Sequence, residues 1–278
     1  MSDPKSKAFA GFGDPIFNKE PLASLEAEKS EKPMQLASRG ARLQIRGVRT
    51  TGAGNIDNKQ INSIKLEHLD RLPDTAAEIM DIANALNADL DQDVFLGKNA
   101  SEHQIKTMNL SNRRVIAFAT HALVPGDVDG LDQPALALSS PSVTGDSEDG
   151  LLTMGEIMKL KLNADWVVLS ACNTGSSEGD GTEALTGLGR AFFYAGTRSI
   201  LASMWPVETT SAKKLVSDIF RNQQSDKTLS RAAALRKSMI GLIDEATLID
   251  QATGKIIASY AHPLFWAPFV IVGDPGGN

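Results

Sequence analysis

The 278 residues carry 28 Lys and Arg against 34 Asp and Glu, a formal net charge of −6, and 42% of them are hydrophobic, ample for one sizeable core or two small ones. The acidic balance, with no clustered cations, argues against nucleic acid as a direct partner. No apolar run approaches the ~18 residues of a membrane span and the amino terminus MSDPKSKAFAGF has no signal-peptide core, so no membrane partner and a reducing, cytoplasmic setting are expected.

In chain order, Gly11–Phe17 reads as a short strand closed by a turn at Asp14-Pro15. From Asn18 to Leu66 the composition turns to Lys, Glu, Ser, Gly and Asn, which reads as a long, partly disordered surface excursion with one hairpin around Thr51–Asn55. The chain therefore divides into residues 1–71, a strand plus a polar excursion, and residues 72–278, the main domain. Three helix starts are signalled by Ser or Thr followed three residues later by Glu or Gln: Thr75/Glu78, Ser101/Gln104 and Thr153/Glu156. The first places Ile79, Met80, Ile82, Ala83 and Leu86 at helical spacing, Val94–Leu96 is a short strand, and His103 rides on the second helix as a solvated residue. His68 falls in polar sequence with no identifiable partner.

Val115–Thr120, VIAFAT, is apolar on both faces and reads as a buried parallel strand, with His121 directly after it. A Gly- and Asp-rich loop, Pro125–Gly130, precedes PALAL, a short extra strand, and a capped helix is expected from about Thr153 to Lys161. Trp166–Leu169 is a second buried strand, and the chain's single cysteine, Cys172, lies just past its carboxyl end, where parallel sheets place their ligand sites. The helix Thr182–Ala195 stops at Gly196, SILASMW (Ser199–Trp205) is another buried strand, two amphipathic helices follow, and Phe269–Val272 is the last strand. The second of those helices aligns Leu229, Ala232, Ala233, Met239, Ile240 and Ile243. The alternation of strands and helices predicts an α/β fold with a mainly parallel sheet and right-handed crossovers.

A lone cysteine is by default a small buried hydrophobe. It becomes a nucleophile only beside a base, and neighbouring parallel strands would bring Cys172 and His121 together at one sheet edge. Their separation, 172 − 121 = 51 residues, matches the interval of about 50 between histidine and cysteine in caspases. His262, before a proline in a connecting segment, is the weaker candidate base. The loop after Cys172 lacks the lysine of a phosphate-binding loop, and the dispersed histidines offer no zinc spacing, so neither metal nor cofactor is expected.

FATHALV, LTMGEIMKLKLNADWVVLSACNTG, GLGRAFFYAGTRSILASMWPVE and HPLFWAPFVIVGDP together resemble the CHAT domain, a caspase-like cysteine peptidase module, over roughly Leu72–Pro275 with a weaker trace at Phe12–Phe17. The resemblance implies a three-layer α/β/α caspase-like fold, a protein or peptide substrate, and a tetratricopeptide-repeat regulatory region or partner. It also implies that strands ahead of GFGDPIF are missing, so that the chain is the carboxyl-terminal part of something longer. Cys172 and His121 are then the catalytic pair, the backbone N–H groups of Cys172 and Ala122 the oxyanion hole, and Ser203 and Trp205 substrate-binding residues. Ala122 stands where the family usually has glycine, and the freedom that glycine supplies predicts that Ala122→Gly is neutral or activating.

Glu178, Asp180 and Glu183 follow the nucleophile, and Asp127, Asp129 and Asp132 follow His121, which points to selection of a basic residue before the scissile bond. The function read from all this is a cysteine endopeptidase held latent until a partner orders its loops. The alternative is a catalytically silent module that binds an extended segment on an Ala202–Trp205 strand edge, and a small-molecule amidase is the other enzyme reading.

Overall fold

Strands that are apolar at every position must be covered on both faces, and the chain meets that demand with one sheet between two helical layers. The computed structural model describes residues 7–19, 65–170, 180–205, 207–245, 247–249, 254 and 256–276. In chain order the elements are β1 (Lys7–Gly13), α1 (Asp74–Ala85), α2 (Leu90–Asp93), β2 (Val94–Leu96), α3 (Glu102–Thr107), β3 (Arg113–Ala119), β4 (Ala122–Leu123), β5 (Ala135–Ala137) and α4 (Pro141–Thr144). They continue with β6 (Leu151–Thr153), α5 (Met154–Ile157), β7 (Trp166–Leu169), α6 (Asp180–Ala195), β8 (Ser199–Ser203), α7 (Thr209–Ser225), α8 (Arg231–Asp244), β9 (Thr247–Ile249), β10 (Ile256–Ser259) and β11 (Phe269–Gly273).

Six strands form the central sheet in the order β11-β8-β7-β3-β1-β2, parallel throughout except for β11. Alternate residues of each strand serve opposite layers. Val115, Ala117 and Ala119 of β3, Trp166 and Val168 of β7 and Leu201 of β8 pack on Ile79 and Ile82 of α1, Leu215 and Ile219 of α7 and Leu242 of α8. Ile116, Phe118, Val167, Leu169, Ile200 and Ala202 face the other way, onto Ile105 of α3, Ile157 of α5 and Leu188 and Phe192 of α6. Each fully buried side chain of this size, such as Phe118, contributes about 1.5–3 kcal/mol. A small antiparallel sheet, β4-β5-β6, covers the carboxyl end of β3, and β9 with β10 makes a separate hairpin.

Several sequence expectations are corrected. The first strand runs from Lys7 to Gly13, not Gly11–Phe17: it pairs with β3 from Lys7↔Arg113 to Gly13↔Ala119, and Asp14, at φ 52, then turns the chain out of the ladder. Thr75 does not cap α1, because its hydroxyl donates to the Leu72 carbonyl (2.7 Å) and accepts from the Asp14 N–H (2.8 Å). A Cβ on Gly13 would stand 2.8 Å from Ile79, so glycine there lets α1 approach β1 closely.

The Thr153/Glu156 capping box is present, yet the helix it starts ends at Ile157 rather than near Lys161. The buried face of α8 is Ala234, Leu235, Ser238 and Leu242, displaced from the stripe read in the sequence, and Ile240 is exposed. The Thr51–Asn55 hairpin, and the excursion from residue 20 to 64, lie outside the described residues.

Candidate active site

Parallel pairing of β3 with β7, from Val115↔Trp166 to Phe118↔Leu169, delivers both chains to one edge of the sheet. The Ser170 N–H continues the ladder by donating to the Phe118 carbonyl at 3.0 Å. His121 is two residues past β3 and 2% exposed. Its backbone is tied into the small sheet, the His121 carbonyl accepting from the Ala137 N–H (2.9 Å) while the Thr120 hydroxyl donates to the Ala137 carbonyl. Cys172 and Glu178 lie outside the described residues, and Asp180 is the first residue of α6, with its side chain undescribed.

The His121 ring is held on two sides. Phe17 leans on it with ring centres 5.6 Å apart, and Nε2 stands 2.7 Å from the Asp70 carbonyl oxygen. A carbonyl only accepts, so Nε2 carries the proton and the neutral ring keeps its lone pair on Nδ1. No described residue hydrogen-bonds Nδ1. Burial pushes the imidazole below its ordinary titration range, against the Asp70 carbonyl and the charges of Asp70 and Asp74, so at neutral pH the ring is an uncharged base. His262, by contrast, is exposed and accepts the Leu264 N–H at Nδ1 (3.2 Å) to cap a short turn.

Asp70 and its neighbours were not legible as site residues. The part played by Asp70 is that of a backbone carbonyl, which no side-chain pattern announces, and Asp14 reads in sequence only as a turn former. The strap bearing Asp70 is anchored by Leu66 and Leu69, which pack with Phe17, Leu123, Val128 and Leu131.

Ala122 is buried in β4 opposite Leu136. The described non-glycine residues at positive φ are Asp14 and Asn87, so Ala122 has no need of a glycine-like backbone and the expected gain from Ala122→Gly is withdrawn. Ser203, at the carboxyl end of β8, is buried with no partner for Oγ among the described residues, and Trp205 is 41% exposed, so that indole is not part of the core.

The Ala202–Trp205 edge is not free. The antiparallel strand β11 covers β8 from Ser199↔Gly273 to Ser203↔Phe269, and the Met204 N–H donates to the Pro268 carbonyl (2.9 Å). An extended ligand cannot add on the β11 side of Ala202, Ser203 or Met204, so the part of this edge that β11 covers does not support the silent peptide-binding module. In the loop after His121, Asp127 Oδ2 accepts the Val124 N–H (2.8 Å), while Asp129 and Asp132 are exposed.

A mainly parallel sheet between two helical layers, with a histidine at the carboxyl edge of a central strand, is the caspase-like α/β/α architecture. The CHAT domain family model matches residues 13–274, and the chain belongs to that family, a branch of the caspase-like cysteine peptidase superfamily. Tetratricopeptide repeat protein 28 of Homo sapiens is 30% identical over 129 residues, which is 45% of this chain and 4% of that protein. No described helix is long and apolar enough to cross a membrane.

Proposed function

We propose that the chain is a cysteine endopeptidase working through a Cys172–His121 dyad. The observation that carries this reading is the placing of His121: buried, fixed through Nε2 and with Nδ1 unengaged by any described residue, at the edge where β7 ends three residues before Cys172. The Cys172 thiol gives its proton to Nδ1 as sulfur attacks the scissile carbonyl, and the backbone N–H groups of Cys172 and Ala122 hold the oxyanion. Collapse expels the amine, which takes that proton from His121. Water, deprotonated by the same nitrogen, then hydrolyses the thioester and frees the thiol.

Exposed Trp205 lines the substrate's path, with the peptide backbone lying beyond Met204 because β11 occupies the strand edge that includes buried Ser203. Glu178 and Asp180, with exposed Asp129 and Asp132, favour a basic residue before the scissile bond. The similarity to a tetratricopeptide repeat protein supports regulation by such a repeat region, and a free thiol nucleophile suits a reducing, cytoplasmic setting.

Mass spectrometry of proteome peptides incubated with the protein tests the reaction. Cys172→Ala and His121→Ala should each lose cleavage by about three orders of magnitude or more, and the double variant should be no worse than either, since a dyad acts as a unit. Retained cleavage in Cys172→Ala sinks the mechanism.

A further inference from the structure

We propose that the ion pair between buried Asp14 and half-buried Arg71 is a positioning device for the histidine: it clips the strap on which Asp70 offers its carbonyl to His121 Nε2. This inference rests on the dyad reading for its catalytic consequence, though not for its effect on the ring.

The geometry points that way from both ends of Asp14. β1 pairs with β3 as far as Gly13↔Ala119, so Asp14 emerges level with the residue before His121, and its backbone turns away at φ 52. Its carboxylate, 5% exposed as a residue, takes both arms of the Arg71 guanidinium, Nε at 2.7 Å and Nη2 at 2.5 Å. Its N–H donates to Thr75 Oγ1 (2.8 Å), which in turn donates to the Leu72 carbonyl (2.7 Å). One residue thus grips the chain just past Asp70, at Arg71 and at Thr75. Upstream the strap is fixed by buried Leu66 and Leu69 and by Asn18 Nδ2, which donates to the Glu67 carbonyl (3.1 Å). The Asp70 carbonyl sits between these two anchors.

A buried ion pair is a poor source of net stability, because desolvation offsets much of the attraction, but a two-armed guanidinium–carboxylate pair fixes direction as well as distance. Direction is what an imidazole proton donor needs, and a displacement of about 1 Å in catalytic geometry costs on the order of 10²-fold in rate. Burial raises the Asp14 carboxyl despite Arg71, so loss of the guanidinium leaves an acid that can take a proton, and the variant retains a route to folding. The charged and titratable groups the ring feels are Asp70 and Asp74, beside the Asp14–Arg71 pair.

The full chain, with Arg71→Ala, Arg71→Lys and Asp14→Asn, is compared by two readouts that need no substrate. The first is the exchange rate of the His121 Nε2 proton with solvent, measured by NMR. The second is the alkylation rate of the single cysteine by iodoacetamide across pH 5 to 9, with His121→Ala as reference. At melting temperatures close to that of the unmodified chain, Arg71→Ala and Asp14→Asn should exchange the Nε2 proton at least tenfold faster. Both should alkylate about tenfold more slowly at pH 7 with the profile of His121→Ala, and Arg71→Lys should fall between. Slow Nε2 exchange in folded Arg71→Ala or Asp14→Asn overturns the proposal. Faster exchange, beside alkylation that neither these variants nor His121→Ala alters, supports the clip's hold on the ring and overturns the dyad.

Discussion

Two polar clusters flank the small sheet, and they are finished differently. Around Lys106, Nζ lies 2.5 Å from Glu102, 2.6 Å from Glu148 and 2.6 Å from Glu156. The carboxylates are in turn satisfied by the Gly150 N–H on Glu102 (2.9 Å) and by Thr153 on Glu156 through its N–H (3.0 Å) and hydroxyl (2.7 Å). The three acids are close enough, within 4.8 Å, to suggest a cation site, and the lysine ammonium stands where the cation would. Around His121 one ring nitrogen is fixed by a carbonyl and the other is engaged by no described residue. A cluster in which one ammonium is met by three carboxylates ties its elements together, whereas a held ring with one lone pair to spare can move a proton.

The largest effect expected from this contrast is on stability. Lys106→Met leaves three carboxylates facing one another, and breaking a buried pair costs about 3–5 kcal/mol. Because Lys106 is itself a quarter exposed, the lower figure applies, and a loss of about 3 kcal/mol lowers the melting temperature by roughly 6–12 °C in a chain this size. Cleavage per folded molecule should be unchanged well below the transition. Loss of cleavage without loss of melting temperature would move the Lys106 cluster into the active site.

Smaller, and opposite in sign, are the pH effects. Burial lowers the His121 pKa, so as pH falls below the ordinary value of about 6.5 the unfolded chain takes a proton that the native ring refuses, and stability falls until the native pKa is passed. Burial and the charge of Glu156, against Lys106, raise Glu102 to about 7. Between its unfolded value of about 4.3 and pH 7 the native state keeps a proton that the unfolded chain releases, so the Glu102 carboxyl weakens stability as pH rises. Burial also opposes ionisation of Glu156, but Lys106 and Thr153 outweigh it and hold that group at about 2. Denaturant midpoints from pH 4.5 to 7.5 check the signs: relative to the unmodified chain, His121→Asn should gain on acidification and Glu102→Gln on alkalinisation. The same slope in both variants would mean that the two clusters do not differ in the way their bonding suggests.

The closed cluster was half legible in the sequence and the open one less so, for a shared reason. The apolar runs VIAF, WVVL and SILAS declare strands because burial on both faces requires every position to be apolar, and their order gave the parallel sheet. Thr153/Glu156 declared a helix start, and the same Glu156 proved to be a ligand of Lys106; neither residue announces how far the helix continues. Thr75 shows the limit of local patterns, since its hydroxyl is claimed by Leu72 and by Asp14, 61 residues away. His121 could be singled out from its place after a strand. The carbonyl that orients it belongs to a strap whose path depends on Phe17, Leu66 and Leu69 packing together, which no periodicity records. The apolar run Phe269–Val272 marks a strand but not that it covers β8, because pairing order is a property of the whole sheet.

Exposed Trp205 sharpens the contrast at its functional end. A side chain this open supports little of the fold, so Trp205→Ala should change stability by no more than about 0.5 kcal/mol. If the indole meets substrate as proposed, KM should rise about fivefold, corresponding to roughly 1 kcal/mol of binding, with kcat little altered. An unchanged KM across peptide substrates would remove Trp205 from the binding surface and leave it an ordinary exposed aromatic.

The smallest expected effect is at Ala122, the neighbour of His121 and the residue where the family usually has glycine. Were the backbone there left-handed, glycine would relieve strain and raise activity. Ala122 lies instead in β4, paired with Leu136, outside the described residues of positive φ, with its methyl group in the core among Leu136, Leu138 and Leu152. Glycine would therefore add unfolded-state freedom and remove a buried methyl, costing about 0.5–1 kcal/mol of stability. The N–H assigned to the oxyanion remains, so cleavage per folded molecule should stay within about threefold. Thermal melts and initial rates measured on one preparation separate the two effects. A rise in rate would mean that the catalytic backbone differs from this strand conformation, and a loss of a hundredfold would show the methyl itself to be holding His121 in place.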